Sequence, residues 1–183
     1  MKKKFSILFY FLFINTIHSD ILESVVNKFH NSIFKANFSI ERSLQQQKGV
    51  LYYQKGQIHI RLSDGTILAS NYKNILTYDP DSKVAGKQEK IPGGGFQWIL
   101  AYPRKIEGNK AVIEPNDKNY QKIIIHWNTD LFPISITFIK DPENKISIKF
   151  SNIIYLNNIS SQFFSYKPPP GSRTVENPLN LKK

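Results

Sequence analysis

The chain has 183 residues, enough for one ordinary domain with its own core, and it contains no cysteine. That leaves no residue here for a disulfide framework, a cysteine nucleophile or a lipid anchor on an N-terminal cysteine. Lys and Arg number 25 against 14 Asp and Glu, a net charge of +11, but away from the termini the cations are scattered and mark no particular site.

Lys2, Lys3 and Lys4 run into an apolar stretch over residues 5–14, followed by a polar exit over 15–19. A basic start, a short apolar run and a polar exit are the pattern of a secretory signal peptide. The run falls short of the ~20 residues that span a bilayer as a helix. The expected organisation is therefore a signal peptide over 1–19 and a single exported domain over 20–183. Without the three lysines the charge falls to +8, and export argues against nucleic acid as its partner.

Asp20 and Glu23 have the spacing of a capping box. Ile21, Leu22, Val25, Val26, Phe29 and Ile33 then recur at helical spacing, with Glu23, Ser24, Asn27 and Asn31 opposite them. This predicts an amphipathic helix with one face committed to something apolar. From residue 35 the period changes to two. Ala36, Phe38 and Ile40 alternate with polar neighbours, and a turn over 45–49 leads into Val50-Leu51-Tyr52-Tyr53. After a turn at Lys55-Gly56-Gln57, Ile58, Ile60 and Leu62 alternate with His59 and Arg61. Further strands are predicted over 66–69, 75–78, 110–113, 120–127, 134–139 and 145–155. A last one is predicted over 163–167, before Pro168-Pro169-Pro170-Gly171. One interruption, Ile91-Pro92-Gly93-Gly94-Gly95, reads as a hinge. The apolar, aromatic segment that follows it, 96–103, reads as a short helix or lid laid across the sheet.

Short strands, tight turns and no interleaved helices predict a mainly β domain of the α+β class, an antiparallel meander curling into a barrel or strongly bent sheet. No catalytic constellation assembles along it. His30 falls on the helix, His59 and His126 lie within strands, and none has a metal-ligand partner at suitable spacing. Neither a Gly-x-Ser-x-Gly elbow nor a phosphate loop occurs. The expectation is a protein without enzymatic activity, metal or cofactor. Surplus apolar surface is what remains. The helix and the flap either enclose an apolar ligand against the sheet or simply plug it, and periodicity does not separate the two.

The ordered segments resemble the periplasmic outer-membrane lipoprotein carriers, the LolA family, over nearly all of residues 20–183. The helix leads into Ala36-Asn37-Phe38, similar to the family's Ala-x-Phe. Gly49-Val50-Leu51-Tyr52 resembles its Gly-x-Leu-aromatic second strand. Ile67-Leu68-Ala69-Ser70-Asn71 followed by Ile75-Leu76-Thr77-Tyr78-Asp79-Pro80 resembles the paired strands that end in Tyr-Asp-Pro. Leu131-Phe132-Pro133-Ile134 fits the later hairpin, and Phe164-Ser165-Tyr166-Lys167-Pro168-Pro169-Pro170-Gly171 is similar to the closing Phe-x-Phe-x-Pro-Pro-x-Gly.

This resemblance implies an incompletely closed, strongly bent antiparallel barrel, covered by the N-terminal helix and a short helical flap around a hydrophobic cavity. It implies a monomeric periplasmic chaperone. Its partners would be acylated lipoproteins, received from an inner-membrane ABC-type release complex and delivered to an outer-membrane receptor. Val25, Phe29 and Ile33 of the helix should face the cavity, with Phe96, Trp98, Ile99 and Leu100 of the flap. Phe38, Ile58, Ile60, Ile136, Phe138, Ile148 and Phe150 are the expected sheet walls. The family often has Arg-Pro after its second strand, the arginine being tied to ligand release. Here the place is Lys55-Gly56, which makes Lys55 the expected release position, with the charge but not the forked donors. A lipid or glycolipid carrier with the same fold is the alternative reading, followed by a lipid-ester hydrolase.

Overall fold

The computed structural model of the chain describes residues 20–42, 45–89, 96–115 and 119–176. The expected signal segment 1–19 and the glycine hinge 91–95 lie outside them. One helix, α1 (Asp20–Asn31), is followed by β1 (Ile33–Arg42), β2 (Gln45–Gln54), β3 (Gln57–Leu62), β4 (Ile67–Ser70), β5 (Asn74–Asp79) and β6 (Val84–Glu89). After a 3-10 helix over Phe96–Ala101, here the flap, come β7 (Arg104–Glu107), β8 (Lys110–Ile113), β9 (Lys122–Trp127), β10 (Pro133–Ile139) and β11 (Lys145–Tyr155). A second 3-10 helix, Ser161–Phe164, precedes β12 (Arg173–Glu176).

All twelve strands join one sheet in the order β12-β6-β5-β4-β3-β2-β1-β11-β10-β9-β8-β7. β12 and β7 end the sheet without pairing to each other, so it is a curved, unclosed barrel as expected. Two meanders, β1 to β6 and β7 to β11, are welded by the long antiparallel pair of β1 with β11. Local sequence makes the hairpins. Lys55 and Gly56 form the two-residue tip between β2 and β3 with φ of +46° and +80°, the left-handed pair whose twist suits a tight hairpin.

Register settles which side chains share a face, because directly opposed residues point the same way. Phe38 stands opposite Gly49 on β2 and Phe150 on β11, and Gly49 stands opposite Leu62 on β3. Ile148 lies between Ile40 and Ile136, and Ile136 faces Ile125. These residues share the inward face with Phe34 and Ala36. Helix α1 lies on that face with its periodic stripe down. Leu22, Val25 and Val26 are fully buried among Ile99, Ile113, Ile123 and Ile125. Phe29 bridges to a neighbouring aromatic cluster of Phe34, Tyr53 and Phe132.

Several expectations fail for identifiable reasons. Ile33 is not the last helical residue; it opens β1, opposite Gln54. Residues 45–49, read as a turn, are the first half of β2. Residues 163–167, read as a strand, contain a 3-10 turn and an irregular stretch that covers the sheet instead of joining it. The closing strand is β12, which runs parallel to β6, the one exception to an antiparallel sheet among the described strands. β6 and β7 carry too little apolar alternation to announce themselves.

Gly49 occupies a place where no side chain fits. A Cβ there would run into the Arg61 carbonyl and stand 3.0 Å from the Phe38 ring. Gly49→Ala should therefore cost about 1–3 kcal/mol, the usual range for overpacking, measured by denaturant unfolding. An unchanged midpoint would mean that β2 and β3 lie further apart at this point than described.

Candidate functional site

The inward face divides into two halves. Over β7 to β10 the helix and the flap fill it, and Val25, Ile99 and Ile136 are core residues there. The flap is tied down by Arg104, whose Nη1 donates to the Leu100 carbonyl at 2.8 Å. Phe96, Leu100, Phe138 and Phe150 pack against this cluster half-buried. Trp98 turns outward, 37% exposed, with its ring edge-on to Tyr102.

Over β1 to β5 the inward face leaves the helix behind. Phe38 and Leu51 are nearly closed off, but Ile58, Ile60 and Leu62 on β3 are only half-buried. Ile60 is opposed by Leu68 on β4, and both Ile58 and Ile75 by Ser70. Leu68 and Ile75 are half-buried as well. The wall residues expected from the sequence, Ile58, Ile60, Ile136, Phe138, Ile148 and Phe150, thus share one face. Ile33, Val25 and Ile99 do not present free surface to it. The register adds Leu62, Leu68 and Ile75, which the sequence reading does not select, although the alternation of β3 already points to Leu62.

Tyr53 joins this face to the hairpin tip. Its hydroxyl donates to the His30 carbonyl at the end of α1, at 3.3 Å. Burial pushes its phenol pKa up, against a hydrogen bond with the Gly56 backbone. Lys55 is therefore an exposed cation two residues after Tyr53, which holds the helix end.

The outward face is covered differently. After β11 the chain turns back across β3 and β4. The Ile159 amide donates to Gln54 Oε1 at 2.7 Å, and Phe163 lies over His59 with ring centroids 4.3 Å apart. His59 Nδ1 donates to the Phe163 carbonyl at 2.9 Å, which assigns its proton to that nitrogen. Gln57 and His59 are consequently buried while their apolar neighbours Ile58 and Ile60 stay half-open. Among the described residues no three His, Asp or Glu side chains gather as a metal site would. Among the described residues, grooves of about 1080 and 840 Å³ open on this outward face.

No protein-family model matches the sequence, and no characterised protein matches it by sequence. Solved structures do share the fold. An uncharacterised conserved protein from Thermus thermophilus superposes with a TM-score of 0.60 at 12% identity, over 87% of this chain and 99% of that one. A chain of the Pseudomonas aeruginosa MucA/MucB complex gives 0.51 at 13% identity, over 81% of this chain and 60% of that one. A putative outer membrane lipoprotein-sorting protein domain from Vibrio parahaemolyticus is more distant, at 0.42 and 9% identity over 80% and 95%. The first two define the architecture as one that other chains adopt, and the likeness is one of fold alone.

Burial lowers the pKa of His59, opposed by its bond to the Phe163 carbonyl and reinforced by the Arg61 charge. The unfolded chain then takes up a proton before the folded one does. Stability is complete above the ordinary imidazole pKa of about 6.5 and falls as pH drops below it. Thermal melts between pH 7.5 and 5 should show this slope, and His59→Gln should reduce it. An identical slope in the variant would show that His59 charges without loosening the segment above it.

Proposed function

We propose that the protein is a non-enzymatic lipid-binding carrier that shields acyl chains on the inward face of its sheet. One observation carries this reading. The inward side chains of β3 to β5, Ile58, Ile60, Leu62, Leu68 and Ile75, form a half-buried apolar strip beside the helix-covered core. A core that needed only to fold would close over such a strip. An acyl chain laid along it gains about 0.8 kcal/mol for each CH2 removed from water.

The finer reading rests on the motifs. Their resemblance to lipoprotein carriers supports acylated lipoproteins as cargo in the periplasm, received from an ABC-type inner-membrane release complex and passed to an outer-membrane receptor. The same strip would serve a free lipid or glycolipid. Lys55 is the proposed release position, supported by the path from the hairpin tip through Tyr53 to the end of α1. The flap, which packs against the helix through Phe96 and Ile99 and carries Trp98 on its outer side, is the element whose displacement would widen the strip.

Ile60→Asp puts a charge on the open strip without removing a core residue. It should weaken binding of a fluorescent fatty-acyl probe at least tenfold while leaving the circular dichroism spectrum intact. A folded variant with undiminished probe binding would sink the placement. Mass spectrometry of the molecules that co-purify from the periplasm then sorts the cargo, intact acylated lipoproteins supporting the finer reading and free lipids the alternative.

A further inference from the structure

The outward face carries a feature that acyl binding does not use. Register lines up one row of outward side chains across five neighbouring strands. Lys48 on β2 stands opposite Ser39 on β1, which stands opposite Lys149 on β11. Lys149 stands opposite Ser135 on β10, and Ser135 opposite His126 on β9. Adjacent strands lie about 4.8 Å apart, so Lys48, Lys149 and His126 recur about 10 Å apart with a hydroxyl between each pair. Ser135 Oγ and His126 Nδ1 are joined at 3.2 Å.

This row lies in the larger groove, and the smaller one shares Val50 and Arg61 with it, so the two form a continuous trough. Its far end is aromatic, with Tyr52, Phe163 and Tyr166 around His59. Lys48, Arg61, Lys149 and Lys167 line the trough, and among the described residues no carboxylate does. Glu41 reaches Lys149 from the neighbouring row at 3.1 Å. Lys48 and Arg61 make no ion pair among the described residues. They occupy diagonal positions on adjacent strands, Arg61 facing Val50, where like charges repel.

We propose that this trough binds an anionic saccharide chain. Its charge calls for an anion, and the rest of its lining selects the class. β3, β2, β1, β11, β10 and β9 are each paired on both sides. No strand edge is free within the trough to take up an extended peptide through its main chain. Polar contacts must come from side chains, and beside the cations and histidines the lining includes the hydroxyls and amides of Ser39, Ser151, Asn37, Asn109 and Gln162. Such groups both donate and accept, as sugar hydroxyls do. Phe163, 37% exposed, and its aromatic neighbours offer flat apolar faces for the C–H side of a sugar ring. The anionic sugar is either a free chain or the headgroup of a glycolipid.

The test is calorimetric titration of the full protein with hexagalacturonate, its neutral methyl ester and hexa-aspartate at low salt. Hexagalacturonate should bind at least tenfold more tightly than either control. Replacing both Lys48→Ser and Arg61→Ser should weaken it at least tenfold, with fatty-acyl probe binding unchanged. Equal affinity for hexa-aspartate, no binding of hexagalacturonate, or indifference to the double substitution would each overturn the proposal. Vesicles bearing a uronic acid glycolipid separate the sources. Binding tighter than to the free hexamer, and displaced by it, assigns the site to a lipid headgroup; weaker binding assigns it to a free chain. Because the probe is read on the same samples, loss of acyl binding and loss of saccharide binding are told apart.

Discussion

Phe29 is the contact on which the architecture turns. Its ring lies 4.9 to 6.1 Å from those of Phe34, Tyr53, Phe96, Phe132 and Phe150. Those rings belong to β1, β2, the flap, the approach to β10, and β11. A twelve-stranded sheet has far more inward surface than one twelve-residue helix can cover. Bending around a single aromatic hub brings the central strands close enough to share that helix, and each well-placed aromatic pair adds about 0.5–1.5 kcal/mol beyond its buried area. The helix still covers only part of the face. The unfilled remainder over β3 to β5 follows from geometry before it serves any purpose.

The two faces of β3 show how covering, more than composition, decides burial. Gln57 and His59 are closed off because the segment after β11 crosses above them, and the His59 ring finds its hydrogen-bond partner there. Ile58 and Ile60, on the other face, have no such cover. The sheet therefore keeps its apolar side half-open and its polar side partly sealed, an inversion that a simple inside-out rule would not produce. That inversion leaves two chemically distinct surfaces, an aliphatic strip inward and a cationic, hydroxyl-lined trough outward, separated by the thickness of one sheet.

What can be read from the sequence follows the same logic. Leu22, Val25, Val26 and Phe29 announce the helical stripe, and the alternation of Ile58, Ile60 and Leu62 announces a strand, because both periods are local. The spacing overruns the end of the helix because Ile33 continues it although that residue starts β1. Phe163 to Lys167 alternates like a strand, but its partners are ring faces on the outer surface and not a strand edge. Val84 to Glu89 and Arg104 to Glu107 become strands through their neighbours, with little apolar pattern of their own. The outward row is beyond reach for a further reason. Lys48, Ser39, Lys149, Ser135 and His126 meet only through four strand registers, and no spacing along the chain encodes them. Alternation alone says which residues of a strand share a face. Which part of that face stays open depends on where the helix ends.

The weld between β1 and β11 also sets the order in which the molecule can be completed. Glu41 and Lys149 pair across 108 residues of chain, and closing so long a loop carries an entropic cost that is repaid only when both strands are present. A chain emerging N-terminus first exposes β1 through β6 as an open sheet, with the edge of β1 unpaired and the aliphatic strip uncovered. Its aggregation hazard is thus concentrated in the interval before residue 155 emerges. Along that waiting edge β1 itself carries Lys35, Glu41 and Arg42, charges that oppose pairing with another chain, a protection used once in the life of each molecule, before β11 pairs with the edge.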